Sequence, residues 1–183
     1  MKTYTLELCG VKRELPLTAV GRTTQLANFS LLGDVELTRL IAKELSLKFK
    51  SLTFDCFVGP EVKVVPLLQE LAGQLDYKKY VVCRKSIKPG MLAPIILKPL
   101  PHFPKHVKQL VLDGRDATFL KGKKVIIIDD VISTGVTMRM MTHLMTKVGA
   151  EVVLMAAVLK QGKQFDKFDN LLTIGELPVF KTM

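Results

Sequence analysis

The sequence predicts an α/β protein with a central parallel sheet flanked by helices. Three observations carry that expectation. Apolar, often β-branched runs recur at 52–58, 80–83, 125–128, 152–159 and 171–174. Between them lie apolar residues at helical spacing, as in Leu37, Leu40, Ile41 and Leu45, or Leu67, Leu68, Leu71 and Leu75. The run Val125–Ile128 has no polar alternation, which suits a strand covered on both faces. Strand, helix and strand in alternation make the βαβ units of a parallel sheet.

Taken in order, Thr5–Leu8 alternates as a strand, and Gly10 turns the chain back through 12–17 to form a hairpin. Residues 21–32 show no clean period. Asp34 offers an N-cap, which places a helix near 34–48. Leu52–Val58 reads as the first core strand and Gly59–Lys63 as a tight loop. Pro66 is tolerated in the first turn of the helix that follows. Tyr80–Cys83 is the second strand, ending in Arg84-Lys85.

Pro89, Pro94, Pro99, Pro101 and Pro104 break the pattern over 86–109 and exclude a continuous helix or central strand. A surface connection is the plain alternative there. A lid over the site is the expectation, because long loops in compact domains often serve that way. Leu110–Leu112 and Thr118–Leu120 are short apolar stretches. After the run at 125–128, Met138, Met141, Met145 and Val148 share one helical stripe as core filler, and Gly149 ends that helix. Val152–Leu159 reads as another buried strand and Leu171–Ile174 as the last.

Length and composition bound the function. A chain of 183 residues, 48% of them apolar, favours one domain with a sizeable core. Cys9, Cys56 and Cys83 are odd in number and have no metal-ligand spacing, so reduced, packed thiols are expected. The N-terminus does not read as a signal peptide, and no run approaches a membrane span. A cytoplasmic protein without a membrane partner is the expectation. The formal charge of +10 raises the question of nucleic acid. The basic residues are spread along the chain and aromatics are only 7%, so a small polyanionic substrate is favoured over nucleic acid.

The chemistry concentrates in Val125–Thr137, which reads Val-Ile-Ile-Ile-Asp-Asp-Val-Ile-Ser-Thr-Gly-Val-Thr. Asp129 and Asp130 follow the apolar run. Ser133, Thr134, Gly135 and Thr137 then crowd the turn before a helical pattern. Small residues let backbone N–H groups converge at a helix N-terminus, which makes a phosphate cradle. The adjacent carboxylates suit a ribose diol or a divalent cation. A plain strand with an acidic turn remains an alternative. So does the magnesium-holding strand of a nucleotide triphosphatase, but that needs a Gly-x-x-x-x-Gly-Lys-Ser/Thr loop and the chain has none.

All thirteen positions of this stretch resemble the phosphoribosyl pyrophosphate motif of the type I phosphoribosyltransferases. The resemblance implies a site for phosphoribosyl pyrophosphate with Mg2+. Asp129 and Asp130 would hold the ribose hydroxyls directly or through the metal. Ser133, Thr134, Gly135, Val136 and Thr137 would hold the 5-phosphate. Gly59–Lys63 is similar to the family's pyrophosphate loop, with Lys63 as its basic residue, although Val64 stands where the family has glycine. Arg84-Lys85-Ser86-Ile87-Lys88 is similar to the basic segment that precedes the lid in adenine phosphoribosyltransferases. That likeness gives Arg84, Lys85 and Lys88 a role at pyrophosphate across the interface of a homodimer. It covers roughly 34–159 as the core of a single domain spanning 1–183. The ends, 1–30 and 160–183, would form a hood over the nucleobase, with Phe29 a candidate for base stacking.

The implied reaction is transfer of 5-phosphoribose to a nucleobase nitrogen in nucleotide salvage, with an adenine-like purine as the first expectation. Ser133 occupies the position before Thr-Gly where the hypoxanthine–guanine relatives carry an aspartate, which argues against that type of 6-oxopurine substrate. Adenine enzymes use a lid carboxylate, but no Asp or Glu lies between Ser86 and Leu112. His102, His106, Asp113 and Asp116 are the nearby candidates for a base. A xanthine or pyrimidine enzyme, or a non-catalytic sensor of phosphoribosyl pyrophosphate, stays open at this stage.

Overall fold

A computed structural model describes residues 2–101, 103, 107–162 and 168–181. Its centre is a five-stranded parallel sheet. The strands are β4 (Cys56–Pro60), β5 (Tyr80–Cys83), β8 (Lys124–Ile132), β9 (Glu151–Gln161) and β10 (Leu171–Leu177), in the spatial order β10-β9-β8-β4-β5. Helices α1 (Val35–Phe49) and α2 (Val65–Gln74) cover one face, and α3 (Gly114–Leu120) and α4 (Val136–Lys147) the other. The run in β8 records this double cover residue by residue. Ile126 and Ile128 join Ile41, Leu45 and Leu68 in the core on the α1 and α2 side, whereas Val125 and Ile127 join Met141 and Leu144 of α4. All four strand residues are fully buried. The α4 stripe is core, as expected, with Met138, Met141 and Met145 no more than 1% exposed.

A second, four-stranded antiparallel sheet consists of β1 (Thr3–Leu8), β2 (Val11–Val20), β3 (Thr24–Ala27) and β11 (Val179–Lys181). The β1–β2 hairpin turns through Cys9 and Gly10, both at positive φ. Residues 160–183 do not all join this small sheet. Gln161 ends β9, and Leu171–Leu177 lies beside it in the central sheet, with Gly175 against Leu159 in register. Among the described residues of this stretch, β11 alone crosses over.

Several expected elements differ. Leu52–Asp55 makes no strand, because the Phe54 side chain turns into an aromatic cluster. Its ring lies 4.7 Å from Tyr77 and 4.9 Å from Phe57, centroid to centroid. The paired strand begins at Cys56 and runs on to Pro60. Among the described residues of 86–109 there is one short strand, β6 (Ile95–Leu97), which pairs with β7 (Leu110–Leu112) outside the central sheet. Asp113 caps α3, its carboxylate accepting the Arg115 N–H at 2.9 Å. That helix occupies the stretch for which only Thr118–Leu120 stood out in sequence. A Cβ at Gly114 would stand 2.6 Å from the Leu92 carbonyl oxygen, so glycine lets 92–93 lie directly on the start of α3. Among the described residues, no helix is long and apolar enough to cross a membrane.

Candidate active site

The site grows out of an unequal sheet. The β8 ladder with β4 ends at Val58↔Ile127, but its ladder with β9 continues to Ile132↔Lys160. The sheet therefore opens on one side of β8 just where its carboxylates stand, at the carboxyl ends of the strands. Asp129 and Asp130 lie inside this strand rather than in a turn after it, which corrects the boundary read from the apolar run. Asp129 is half-buried and Asp130 is 9% exposed. The Asp130 backbone N–H donates to Asp129 Oδ1 at 2.9 Å. Burial raises the Asp129 carboxyl well above the usual carboxylate range, the charge of Asp130 raises it further, and the Lys85 ammonium opposes both.

The turn after β8 delivers Ser133, Thr134 and Gly135 to the start of α4. Gly135 is its N-cap with φ 71°, a left-handed conformation that glycine adopts freely. Thr134 Oγ1 accepts the Val136 N–H at 3.4 Å. Asp129, Ser133, Thr134, Gly135, Val136 and Thr137 are among the residues lining a small cavity of about 30 Å³. The first N–H groups of α4 have no partner within the helix, so an anion in this cradle meets donors and the positive end of the helix dipole.

A second cavity, about 300 Å³, lies between the 60–64 loop and β8, with Lys85, Asp129, Asp130 and Thr137 in its wall. The Glu61–Val62 peptide in this loop is cis. Val64, at the position where glycine was anticipated, has an ordinary right-handed backbone (φ −85°, ψ −12°) and is buried beneath Gly59. The valine thus serves as packing, with no need for glycine's freedom. Glu61 ties this loop to the basic segment, a role sequence reasoning did not assign. Its carboxylate accepts the Lys85 N–H at 2.7 Å and faces Arg84 at 3.5 Å and Lys88 at 4.0 Å.

A third cavity, about 430 Å³, sits under the small sheet. Thr18, Asn28 and Phe29 contribute from above, Ser133 and Gln161 from the central sheet. Lys63, Asp130 and Val131 line both this cavity and the second. The Lys63 ammonium donates to the Phe29 carbonyl at 2.8 Å and to Asn28 Oδ1 at 3.3 Å, joining the loop to the small sheet. Phe29 is only 2% exposed and belongs to the core cluster, so little of its ring faces the cavity. Gln161 and Asn28 were missed in the sequence. Each is one polar residue at the end of a strand or in an aperiodic stretch, and only the fold brings them together.

Not all expected residues converge. Arg84 and Lys88 line a separate cavity of about 540 Å³ beside β5, with Arg115 and Asp113, and do not share a cavity with Asp129. Asp113 and Asp116 also turn away from the third cavity. Asp113 is held by Arg115 at 2.8 Å, and this guanidinium keeps its carboxyl well below the usual range. Asp116 pairs with Lys79 at 2.8 Å. Both carboxylates are thus engaged in ion pairs. His102 and His106 lie outside the described residues. Cys9, Cys56 and Cys83 are free thiols, and burial pushes Cys56 and Cys83 up to about 12.

Comparison with known proteins identifies the family. The profile of the phosphoribosyl transferase domain covers residues 34–174. A protein of Thermosipho africanus named adenine phosphoribosyltransferase is 31% identical over 132 residues, which is 71% of this chain and 73% of that one. A Methanotorris igneus protein named hypoxanthine/guanine phosphoribosyltransferase is 33% identical over 138 residues, 75% of this chain and 68% of that one. The crystal structure of adenine phosphoribosyltransferase from Thermoanaerobacter pseudethanolicus superposes with a TM-score of 0.70 at 18% identity, covering 88% of this chain and 95% of that one, a likeness of fold. The three joined cavities around the β8 carboxylates are carried by a chain that belongs to the phosphoribosyl transferase domain family, a family of enzymes.

Proposed function

We propose that this protein transfers 5-phosphoribose from phosphoribosyl pyrophosphate to a ring nitrogen of a purine, with adenine the first substrate to try. The observation that carries this reading is the sharing of walls: Asp130 lines both the second and the third cavity, while Asp129 lines the second and the small cradle at the start of α4. A ribose laid across the carboxylates would then put its 5-phosphate in the α4 cradle, its pyrophosphate beside Lys85 and its C1 toward the cavity under the small sheet. The relatives named for adenine and for hypoxanthine/guanine support a purine.

In that reaction the C1–oxygen bond to pyrophosphate breaks with its electron pair leaving on the pyrophosphate oxygen, a C1–nitrogen bond forms, and the proton of that nitrogen passes to solvent water. Positive charge develops on the ribose ring in the transition state. Asp129 and Asp130 orient the hydroxyls beneath it, and Lys85 offsets the charge of the departing pyrophosphate. Backbone amides at Gly135 and Val136, with the hydroxyls of Thr134 and Thr137, anchor the phosphate and fix the position of C1. The donor set fits Mg2+ as a shared ion. Among the described residues no group of three or more His, Cys, Asp or Glu forms a closed site. Magnesium is commonly held by one or two carboxylates plus substrate phosphates, which Asp129 and Asp130 can provide. When bound, it would supply charge neutralisation at the pyrophosphate.

The small sheet is proposed as the hood over the base, within one domain spanning 1–183. A homodimer would give Arg84 and Lys88 their place, reaching the partner's pyrophosphate from the cavity beside β5. Three free thiols support a reducing, cytoplasmic setting.

Pyrophosphate release should be measured with adenine, hypoxanthine, guanine, xanthine and orotate in the presence of magnesium. The expected outcome is release with at least one purine. Combining Asp129→Asn with Asp130→Asn should lower kcat/KM by about 100-fold or more, the scale of lost charge stabilisation. Tight binding of phosphoribosyl pyrophosphate without release for any base would replace the enzyme by a sensor.

A further inference from the structure

Gln161 is the last residue of β9, the strand hydrogen-bonded to the carboxylate-bearing β8. It is 7% exposed and lines the cavity under the small sheet. Its Nε2 is shut off from solvent and has no hydrogen-bond partner. Among the described residues it is the one buried side-chain nitrogen or oxygen left in this state. Buried polar groups are nearly always paired, because leaving one unmade forfeits its hydration with nothing in return. Its neighbour in sequence is accounted for: the Lys160 ammonium is paired with Glu176 at 2.5 Å.

From these observations we infer that Gln161 reads the six-position edge of the purine, an inference that rests on the phosphoribosyltransferase reading above. Once the amide turns toward the cavity that Gln161 lines, the base supplies the partner that the protein does not. A carboxamide carries one donor end and one acceptor end, and it can pair with two adjacent groups of a base edge. In one orientation it donates to a ring nitrogen and accepts from a 6-amino group. Turned over, it donates to a 6-oxo group and accepts from the adjacent N–H. No protein partner of Nε2 fixes which way the amide faces. The substrate class is therefore purines with either amino or oxo at position six. Asp130, also in this wall, is given to the ribose hydroxyls in the reading above, and the Asn28 amide carries both a donor and an acceptor. The Lys63 ammonium is engaged by Phe29 and Asn28, and Thr18 and Ser133 are hydroxyls able to donate or accept.

Calorimetry on the full chain with adenosine monophosphate, inosine monophosphate and ribose 5-phosphate tests this, with a thermal melt of each variant as the folding control. The wild type should bind the two nucleotides within about tenfold of each other. Gln161→Leu should weaken both by about 10- to 100-fold, the loss of one or two buried hydrogen bonds, and leave ribose 5-phosphate unchanged. Gln161→Glu, an acceptor only when ionised at pH 8, keeps one hydrogen bond to either base and loses the other, so it should weaken both nucleotides by a similar factor of about tenfold. A folded Gln161→Leu that binds both nucleotides like the wild type overturns the inference. So does a wild-type preference above about 100-fold for either nucleotide. Failure of ribose 5-phosphate to bind the wild type is a distinct result, and it would overturn the phosphoribosyltransferase reading itself.

Discussion

Asp129 is a charge that the fold disfavours. Burial and the Asp130 charge disfavour its ionised form, so its folded pKa lies above the unfolded value near 3.9. Below the unfolded pKa both states carry the proton and no penalty exists. As pH rises from there toward the folded pKa, the unfolded chain ionises while the native state does not, so the native state loses relative stability; above the folded pKa the penalty is complete. Asp129→Asn should therefore raise Tm at pH 7–8, with the gain fading below about pH 4. The same variant should weaken phosphoribosyl pyrophosphate binding. Melts across this pH range, paired with calorimetry, check both halves; equal Tm values at about pH 7.5 would remove the electrostatic argument. Gly135 poses the opposite case, where the site demands a conformation. Alanine there must adopt φ 71° and would put a Cβ 2.6 Å from the Phe168 ring. The ring can shift, but the left-handed backbone still costs about 1–2 kcal/mol. Gly135→Ala should lose about that much stability by urea unfolding and bind ribose 5-phosphate more weakly.

At the scale of elements, the site depends on ties between segments that are far apart in sequence. Lys63 joins the 60–64 loop to Asn28 and Phe29 beside β3. Hydrogen bonds involving a charged group are worth about 1.5–3 kcal/mol each, less where water competes. Lys63→Met, which keeps the apolar stem, should cost about 1–2 kcal/mol in urea unfolding. It should also loosen the β1–β3 sheet, seen as faster amide exchange at Leu26 and Ala27. Unchanged exchange there would mean the small sheet holds its place without the lysine. Much at this scale was legible in the sequence. The α1 cap at Asp34, the α2 start with Pro66, the β1–β2 hairpin and the α4 stripe follow from local patterns that recur whatever the tertiary context. The strand misplaced at Leu52–Asp55 has a physical reason. Leu52–Phe54 is apolar for the aromatic cluster rather than for a sheet, and periodicity cannot tell these apart.

For the whole molecule, the arrangement of charge bears on assembly. Arg84 and Lys88 stand beside β5, an edge strand of the central sheet, in a cavity that Asp129 and Asp130 of their own chain do not line. In the proposed homodimer they would serve the partner's site. Sedimentation should give twice the 20.4 kDa chain mass. Combined Arg84→Ala and Lys88→Ala should weaken pyrophosphate binding severalfold while sparing ribose 5-phosphate. A monomer with full activity would confine the site to one chain. The net charge of +10 should also make capture of the polyanionic substrate slow as salt rises, since screening shortens the reach of the field.

The sequence by itself determined the α/β class, the strand that bears Asp129 and Asp130, and the hydroxyl-rich turn after it. These are local: β-branched runs, caps and small residues in a turn act over a few positions, and the phosphate cradle is continuous in the chain. Only the tertiary structure decided which residues face the three joined cavities. It put Lys85 with the carboxylates and Arg84 with Lys88 elsewhere, although they are close neighbours in the chain, because a strand end sends successive side chains to different sides. It also withdrew Phe29 into the core and Asp113 into the α3 cap, and it brought Gln161 under a sheet built largely from the other end of the chain. A cavity wall is assembled from single residues of separate elements. No pattern along the sequence records such a wall, since burial and pairing across the fold select its members.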